Sequence, residues 1–536
     1  MNKKFVISAI LAGLTLGNIS NVQAQNIYPS RDYSFGKNFA AENSNLDISL
    51  YSRFNIGTQS TKGGLIEIVA YNSSAQVAYA TSGVTGEIIV VPMNENFANA
   101  YSGIGYNMEE LVGNIEGFEY GDMSSIAVNS TNTQIAVALQ ANGFNDNGKV
   151  VVFELDNNGF LINNPQFFDA GKQPDNLIFT PDGTKILVAN EGEPRNGMLD
   201  IDPEGSVTII DLTTNEATNI NFDGVYFDEK VLLQNGKTPS EDFEPEYIVT
   251  TNDTAYVALQ ENNAIAILDI NTNSFKGVYG LGLQDFGKVA LDLEDDGEIN
   301  IKTFDNVYGV YMPDGIELFE LEDKTYILTA NEGDGREWGE EDTENFYTNE
   351  HKSDTSPTGN VTVNGKVTWF NPADYEMLDQ SKAYLYGSRS FSIFEVTDNG
   401  MELVFDSGSG FEIITAQAVP EHFNSSNTNS TLDDRSGKKG PEPEDVKIGQ
   451  IGENIYAFVG LERVSGVMVY NITDPHNATF TNYFTSRDYT SAIGGDVSPE
   501  GLKFVPKEQS PTGTDILLVA NEGSGTLAVY ELIDLQ

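Results

Sequence analysis

Five times in this chain a proline followed by an acid opens an apolar run, and a second apolar run closes on another acid. The openings are Pro174-Asp175, Pro245-Glu246, Pro313-Asp314, Pro443-Glu444 and Pro499-Glu500. The closings are Asn190-Glu191, Gln260-Glu261, Asn331-Glu332, Leu461-Glu462 and Asn521-Glu522. Self-similarity of this kind marks stacked or circular units, because one such unit cannot bury its own apolar face.

Around these pairs the pattern is a short β-rich run, a turn, a second apolar run, a variable loop and a third β run. Leu177 to Phe179, Ile186 to Ala189 and Val207 to Leu212 make one unit, and Ile248 to Thr250, Tyr256 to Leu259 and Ala264 to Ile270 another. Leu65 to Val69 opens the first unit, and Leu502 to Leu532 holds the last. A further unit begins at Ile316 to Leu321 and is completed after a long insertion by Ala383 to Tyr386 and Phe391 to Val396. About seven antiparallel units with almost no helical periodicity predict an all-β fold, a β-propeller of YVTN/WD40-like architecture. A β-sandwich array or a β-helix are the alternatives. The expected layout is one domain over 25–536, with a loop insertion at about 337–382. Leu46 to Ile56 is placed to add an outer strand that closes the ring against the last blade.

Antiparallel pairing then predicts where the acids go. The start of a blade's first strand and the end of its second fall on the same face, close to the axis. Asp175, Glu191, Glu246, Glu261, Asp314, Glu332, Glu444, Glu462, Glu500 and Glu522 should therefore gather around one channel mouth. Like charges so placed repel strongly unless compensated. Arg195, Arg336 and Arg463 follow closing acids closely and are candidate compensators that could also receive an anion. The other compensator is a hard cation with oxygen ligands, calcium (Ca2+) above all, in a number the sequence does not give. The plainer reading makes Asn-Glu-Gly a turn, with Gly192, Gly333 and Gly523 supplying positive φ.

Two loops have acids at alternating positions before a glycine, as in the first half of an EF-hand loop. One carries Asp292, Glu294 and Asp296 before Gly297, but has Thr303 where a bidentate glutamate would complete the shell. The other carries Asp200, Asp202 and Glu204 before Gly205.

Composition narrows the function. The formal net charge is −51, which repels phosphate backbones and excludes nucleic acid as a partner. There is no cysteine, so disulfides and thiolate sites are excluded. The three histidines have no nucleophile motif beside them. A basic start, an apolar run from Phe5 to Leu16 and a Val22-Gln23-Ala24 cleavage pattern predict a signal peptide over 1–24. The mature protein is expected to be secreted or periplasmic, without a membrane span, and a monomer.

Several longer stretches carry a resemblance. Val188-Ala-Asn-Glu-Gly-Glu-Pro-Arg195, Thr329-Ala-Asn-Glu-Gly-Asp-Gly-Arg336, Asp433-Asp-Arg-Ser-Gly-Lys-Lys-Gly-Pro-Glu-Pro-Glu444 and Leu518-Val-Ala-Asn-Glu-Gly-Ser-Gly-Thr526 resemble the choice-of-anchor I family. That family is similar to mesenchyme-specific cell-surface glycoproteins, and some of its members are labelled alkaline phosphatase. The resemblance implies an exported surface propeller, but it transfers no catalytic residue set. Ser436-Gly437-Lys438 departs from acids expected there, and no C-terminal anchor is expected after the last β run.

These readings converge on a calcium-binding extracellular protein whose acidic axial face holds a glycan, a mineral surface or another protein. The alternative is a metal-dependent phosphatase or phosphodiesterase acting on a small phosphoester. A calcium-dependent propeller lactonase is a third and weaker reading.

Overall fold

A computed structural model describes residues 26–29, 36–93, 102–113, 115–195, 201–339, 343 and 346–535. The signal-peptide segment and Asp200 lie outside the described residues. Seven antiparallel sheets follow one another along the chain, five of four strands and two with a fifth strand added at the outer edge. The innermost strands, one per blade, are Val69–Asn72, Tyr120–Val128, Pro174–Phe179, Pro245–Thr250, Ile316–Leu321, Pro443–Ile451 and Pro499–Val505. The fold is the expected seven-bladed β-propeller.

Each blade is apolar on both faces, since it packs against a neighbour on either side. The second strand of blade 3, Lys185–Asn190, is buried from Ile186 onward, and the same is true of Ala255 to Leu259 in blade 4. Continuous Val, Ile, Leu and Ala runs meet that requirement. Closure uses both ends of the chain: Leu46–Asn55 pairs antiparallel with Thr526–Asp534 as the outer strand of blade 7. Arg53 on that strand makes a buried ion pair with Asp496.

Sequence reading found three strands per blade and, apart from the closing strand Leu46–Asn55, missed the outer ones. Glu216–Asn221 explains why: its burial pattern is exposed almost throughout, so no apolar periodicity announces it. Ala383–Tyr386 was also misplaced. It belongs not to blade 5 but to an accessory five-stranded sheet, where it pairs parallel with Val307–Val310. The insertion is therefore more than a loop. Its strands Glu350–Thr355 and Thr362–Phe370 join the segment preceding blade 5 around a small core of Phe286, Leu293, Trp369 and Leu385.

The long connections share one face. Segments 222–244, 281–315, 331–390 and 407–442 all leave the end where first strands begin and second strands finish. On the opposite face the hairpins turn within 251–253, 322–323 and 452–453. The axial acids thus lie on the face that the insertions wall in.

Candidate functional site: an axial carboxylate ring

Strand register defines the ring. Equivalent pairs join the first two strands of every blade: Val69↔Ala80, Ile126↔Val137, Leu177↔Val188, Ile248↔Val257, Ile316↔Thr329, Val446↔Val459 and Leu502↔Val519. Two residues before the first member stand Glu67, Ser124, Asp175, Glu246, Asp314, Glu444 and Glu500. Three residues after the second stand Gly83, Gln140, Glu191, Gln260, Glu332, Glu462 and Glu522. Every blade thus has the same two positions, and most are filled by acids.

The recurring residue types have local causes. The first strand is an inner edge, so a proline there forfeits no ladder hydrogen bond. A register shift between Pro174 and Leu177 leaves Asp175 and Asn176 opposite one residue, and blades 4 and 6 repeat it. Such a bulge re-aims side chains. The residue before four of the prolines, Gln173, Met312, Glu442 or Ser498, has φ between 46° and 62°, a left-handed strain repeated around the axis. The closing asparagine is structural: Asn190 Nδ2 donates to Thr208 Oγ1 at 3.0 Å and Asn331 Nδ2 to Ser392 Oγ at 2.8 Å, tying strand two to strand three. The following glutamate is then free to face the axis. Gly192 and Gly333 do take positive φ, at 76° and 84°. Gly523 does not.

The ring encloses a cavity of about 310 Å³ lined by Asp175, Glu191, Glu246, Asp314, Glu332, Glu444, Glu462, Glu500 and Glu522, with Gln260, Asp334 and Arg463. Glu261 is not in this lining, because Gln260 holds the equivalent position and donates from Nε2 to Glu332 Oε2 at 2.8 Å. The expected Gln260-Glu261 closing was one residue out of register. Several acids escaped the sequence reading: Asp334 in the lining, Glu442 beside it, and two on blades 1 and 2. Glu67 holds the blade 1 position without a preceding proline, and Asp122 lies beside it. A Cβ on Gly83 would stand 3.0 Å from Asp122 Oδ1 and 3.5 Å from Glu67 Oε2, so the missing side chain leaves room for both. A register count from Val69, rather than a search for Pro-acid, would have found Glu67.

Among the described residues the cations near the ring concentrate in one sector. Lys439, another residue the sequence reading passed over, reaches Glu332 at 2.7 Å, Asp334 at 2.9 Å and Glu442 at 3.5 Å. Arg463 reaches Glu442 at 2.7 Å and Glu462 at 2.9 Å, and Arg435 also pairs with Glu442. Burial opposes ionisation of Glu442, but Arg435, Arg463 and Lys439 together hold its pKa well below the ordinary value. Oxygens of Glu332, Glu442 and Glu462 lie within 4.8 Å of one another, a spacing suited to a metal. Three bound cationic side chains already balance that trio.

Arg336 does not serve the ring as expected. It is buried, with Nη1 2.7 Å from Asp242 and Nε 2.9 Å from Glu244. Arg195 lies at the rim, 3.6 Å from Glu193 and 4.0 Å from Glu191.

The remaining sector has no ion pairs among the described residues, and Arg195 at the rim offsets only part of the effect of burial on Asp175. Among the described residues Asp175, Glu246, Asp314, Glu444 and Glu500 have no ion-pair partner. Burial raises all five pKa values. Neighbouring carboxylates add to this, as Asp314 does for Glu246 and Glu332 and Glu500 do for Glu444. Asp175 is pushed up to about 6 and Glu67 to about 8. Glu444 Oε2 and Glu246 Oε2 are buried without a hydrogen-bond partner.

A raised carboxyl pKa means the folded state holds protons that the unfolded chain releases, so stability falls as pH rises. Although Glu442, held low by its cations, loses its contribution in acid, the ring's own contribution to stability in calcium-free buffer is expected to be complete below pH of about 4. It should decline as pH passes through about 6 and then about 8, the values reached by Asp175 and Glu67. Thermal melts across that range in chelator check this, and a flat profile would remove the repulsion argument.

The EF-hand-like loops are otherwise engaged. Asp292 accepts from the backbone N–H of Glu294 and Asn300, and Glu294 pairs with Lys302. Asp296 sits where Asp433 Oδ2 accepts its N–H at 2.9 Å. Leu291 bridges to Lys302, so the loop is pinned as a hairpin rather than flanked by helices. In the second loop Asp202 pairs with Lys237.

The chain is 32% identical over 170 residues to Gigasin-3a of Magallana gigas, covering 28% of this chain and 58% of that one. It is 28% identical over 259 residues to the mesenchyme-specific cell surface glycoprotein of Strongylocentrotus purpuratus, covering 40% and 31% respectively. The alignments thus span well under two thirds of either relative. Among solved structures, virginiamycin B lyase from Staphylococcus aureus is 10% identical at a TM-score of 0.42, covering 91% of this chain and 100% of that one. The β-propeller domain of Myceliophteria thermophila Cps50 (Swd1) gives 8% and 0.42 with the same coverage. The choice-of-anchor I domain matches residues 67–475, from the ring's first glutamate to the third strand of blade 6 and just beyond, and the chain belongs to that family.

Proposed function

We propose that this protein is a calcium-binding extracellular propeller that holds a surface ligand, a glycan or a protein, at its acidic axial face. The carrying observation is the sector without ion pairs: five carboxylates around one cavity, Glu444 buried and the others half-buried, two of them with a buried oxygen lacking a hydrogen-bond partner. Oxygen-only donors in that number suit a hard, multiply coordinated cation such as Ca2+. Family membership supports a surface or secreted setting, as does the cell-surface description of the sea-urchin relative. Among the described residues no helix is long and apolar enough to cross a membrane.

A metal-dependent phosphoesterase would need a cation free to receive phosphate. Arg463 lines the cavity, which favours that second reading, but it is already paired to Glu442 and Glu462. Calcium is therefore expected to raise the melting temperature saturably, with no hydrolysis of p-nitrophenyl phosphate or its bis ester. Absence of any calcium response would sink the binding reading. Turnover that disappears with chelator would establish the enzyme instead.

A further inference from the structure

Below the acid ring the axis opens into a second cavity of about 330 Å³, lined by the first strands of all seven blades. That volume is within the range of small-molecule sites, on the order of 300–1,000 Å³. Its walls are divided. One residue after each register position stand Ala70, Ala127, Ile178 and Val249 on blades 1 to 4, but Glu317, Lys447 and Lys503 on blades 5 to 7. One side of the channel is uncharged, with Ser125, Asn176 and Thr180 among its apolar residues, and the other carries the charge.

The charges are not equally answered. Lys447 Nζ lies 2.5 Å from Asp445 Oδ1, 3.3 Å from the Tyr247 hydroxyl and 3.9 Å from Glu317 Oε2. Asp445 Oδ2 also accepts the Leu502 N–H at 2.9 Å, and Glu317 accepts the Leu318 N–H at 3.2 Å. Lys503 has no hydrogen-bond or ion-pair partner among the described residues. Its side chain is open to the channel. Surrounding protein still pushes its pKa down, with Glu317 opposing and Lys447 adding to the effect. A cation in that setting gains most from an anion brought in by a ligand.

We propose that this lower cavity is a binding site for a small amphipathic monocarboxylate, its carboxylate on Lys503 and its aliphatic body against Ala127, Ile178 and Val249. A dicarboxylate fits less well, since the only other ammonium there is already held by Asp445. The site is separate from the acid ring and does not depend on calcium.

Isothermal titration of the full chain with hexanoate, with hexanol as the uncharged control, tests this in the presence of chelator. Saturable hexanoate binding is expected, weakened on the order of tenfold or more in Lys503→Met and largely kept in Lys503→Arg. Ala127→Leu, which fills the apolar wall from the opposite side, should also block it. The proposal is overturned if hexanoate does not saturate the wild type, or if Lys503→Met binds it as well as wild type. Preference for hexanol would overturn it equally. Loss of binding in chelator that calcium restores would place the ligand at the acid ring instead.

Discussion

Replacing Glu246 and Glu444 together by glutamine is expected to stabilise the calcium-free protein and to abolish its response to calcium. Both have raised pKa values, and each has one buried oxygen without a hydrogen-bond partner. Glutamine keeps the shape and removes the charge, so the repulsion with Asp314 and Glu500 is relieved. An ion bound only by the folded state adds about 2.7 kcal/mol at a concentration one hundred times its Kd. Wild type should show a gain of that order in urea unfolding at saturating calcium, and the double variant almost none. Glu462→Gln provides the contrast, because Lys439 and Arg463 already neutralise its sector. A double variant that still responds fully to calcium would show that the ion, if bound, sits elsewhere.

Arg336→Met should be the most damaging single substitution. The guanidinium satisfies Asp242, Glu244 and the Asp242 carbonyl, all buried, and so fastens the blade 5 insertion to the segment leading into blade 4. Removing one partner of a buried charge pair costs about 3–5 kcal/mol, since the charge left behind has no water to turn to. Asp242 would keep two donors, Gln234 N–H and Asn262 Nδ2, but Glu244 Oε1 already lacks one. Arg336→Lys keeps the charge without the two-pronged geometry and should fall between the two. Chemical denaturation measures all three proteins. A loss below about 1 kcal/mol in Arg336→Met would mean the insertion is not fastened there.

Much of the fold was legible because a propeller repeats its inner strands with the same hydrophobic demand. Val188, Val257 and Val459 are buried between blades in equivalent places, and their runs announce themselves. Outer strands such as Glu216–Asn221 face water and leave no such trace. The accessory sheet was hidden for another reason: Val307–Val310 and Ala383–Tyr386 pair in parallel across more than seventy intervening residues, which no local pattern encodes.

The acids show the same division. Sequence alone determined that carboxylates return in register, since the spacing between Pro-acid and Asn-Glu is set by two paired strands and a turn. Only the tertiary structure decided which of them are alone. Lys439 comes from a segment more than one hundred positions after Glu332 and neutralises one sector, whereas Arg336, four residues from that glutamate, turns away to Asp242. Charge compensation acts over a few ångströms and is settled by where loops fold, not by distance along the chain. The repeated acids therefore make a ring, and the insertions determine which part of it remains open to a cation.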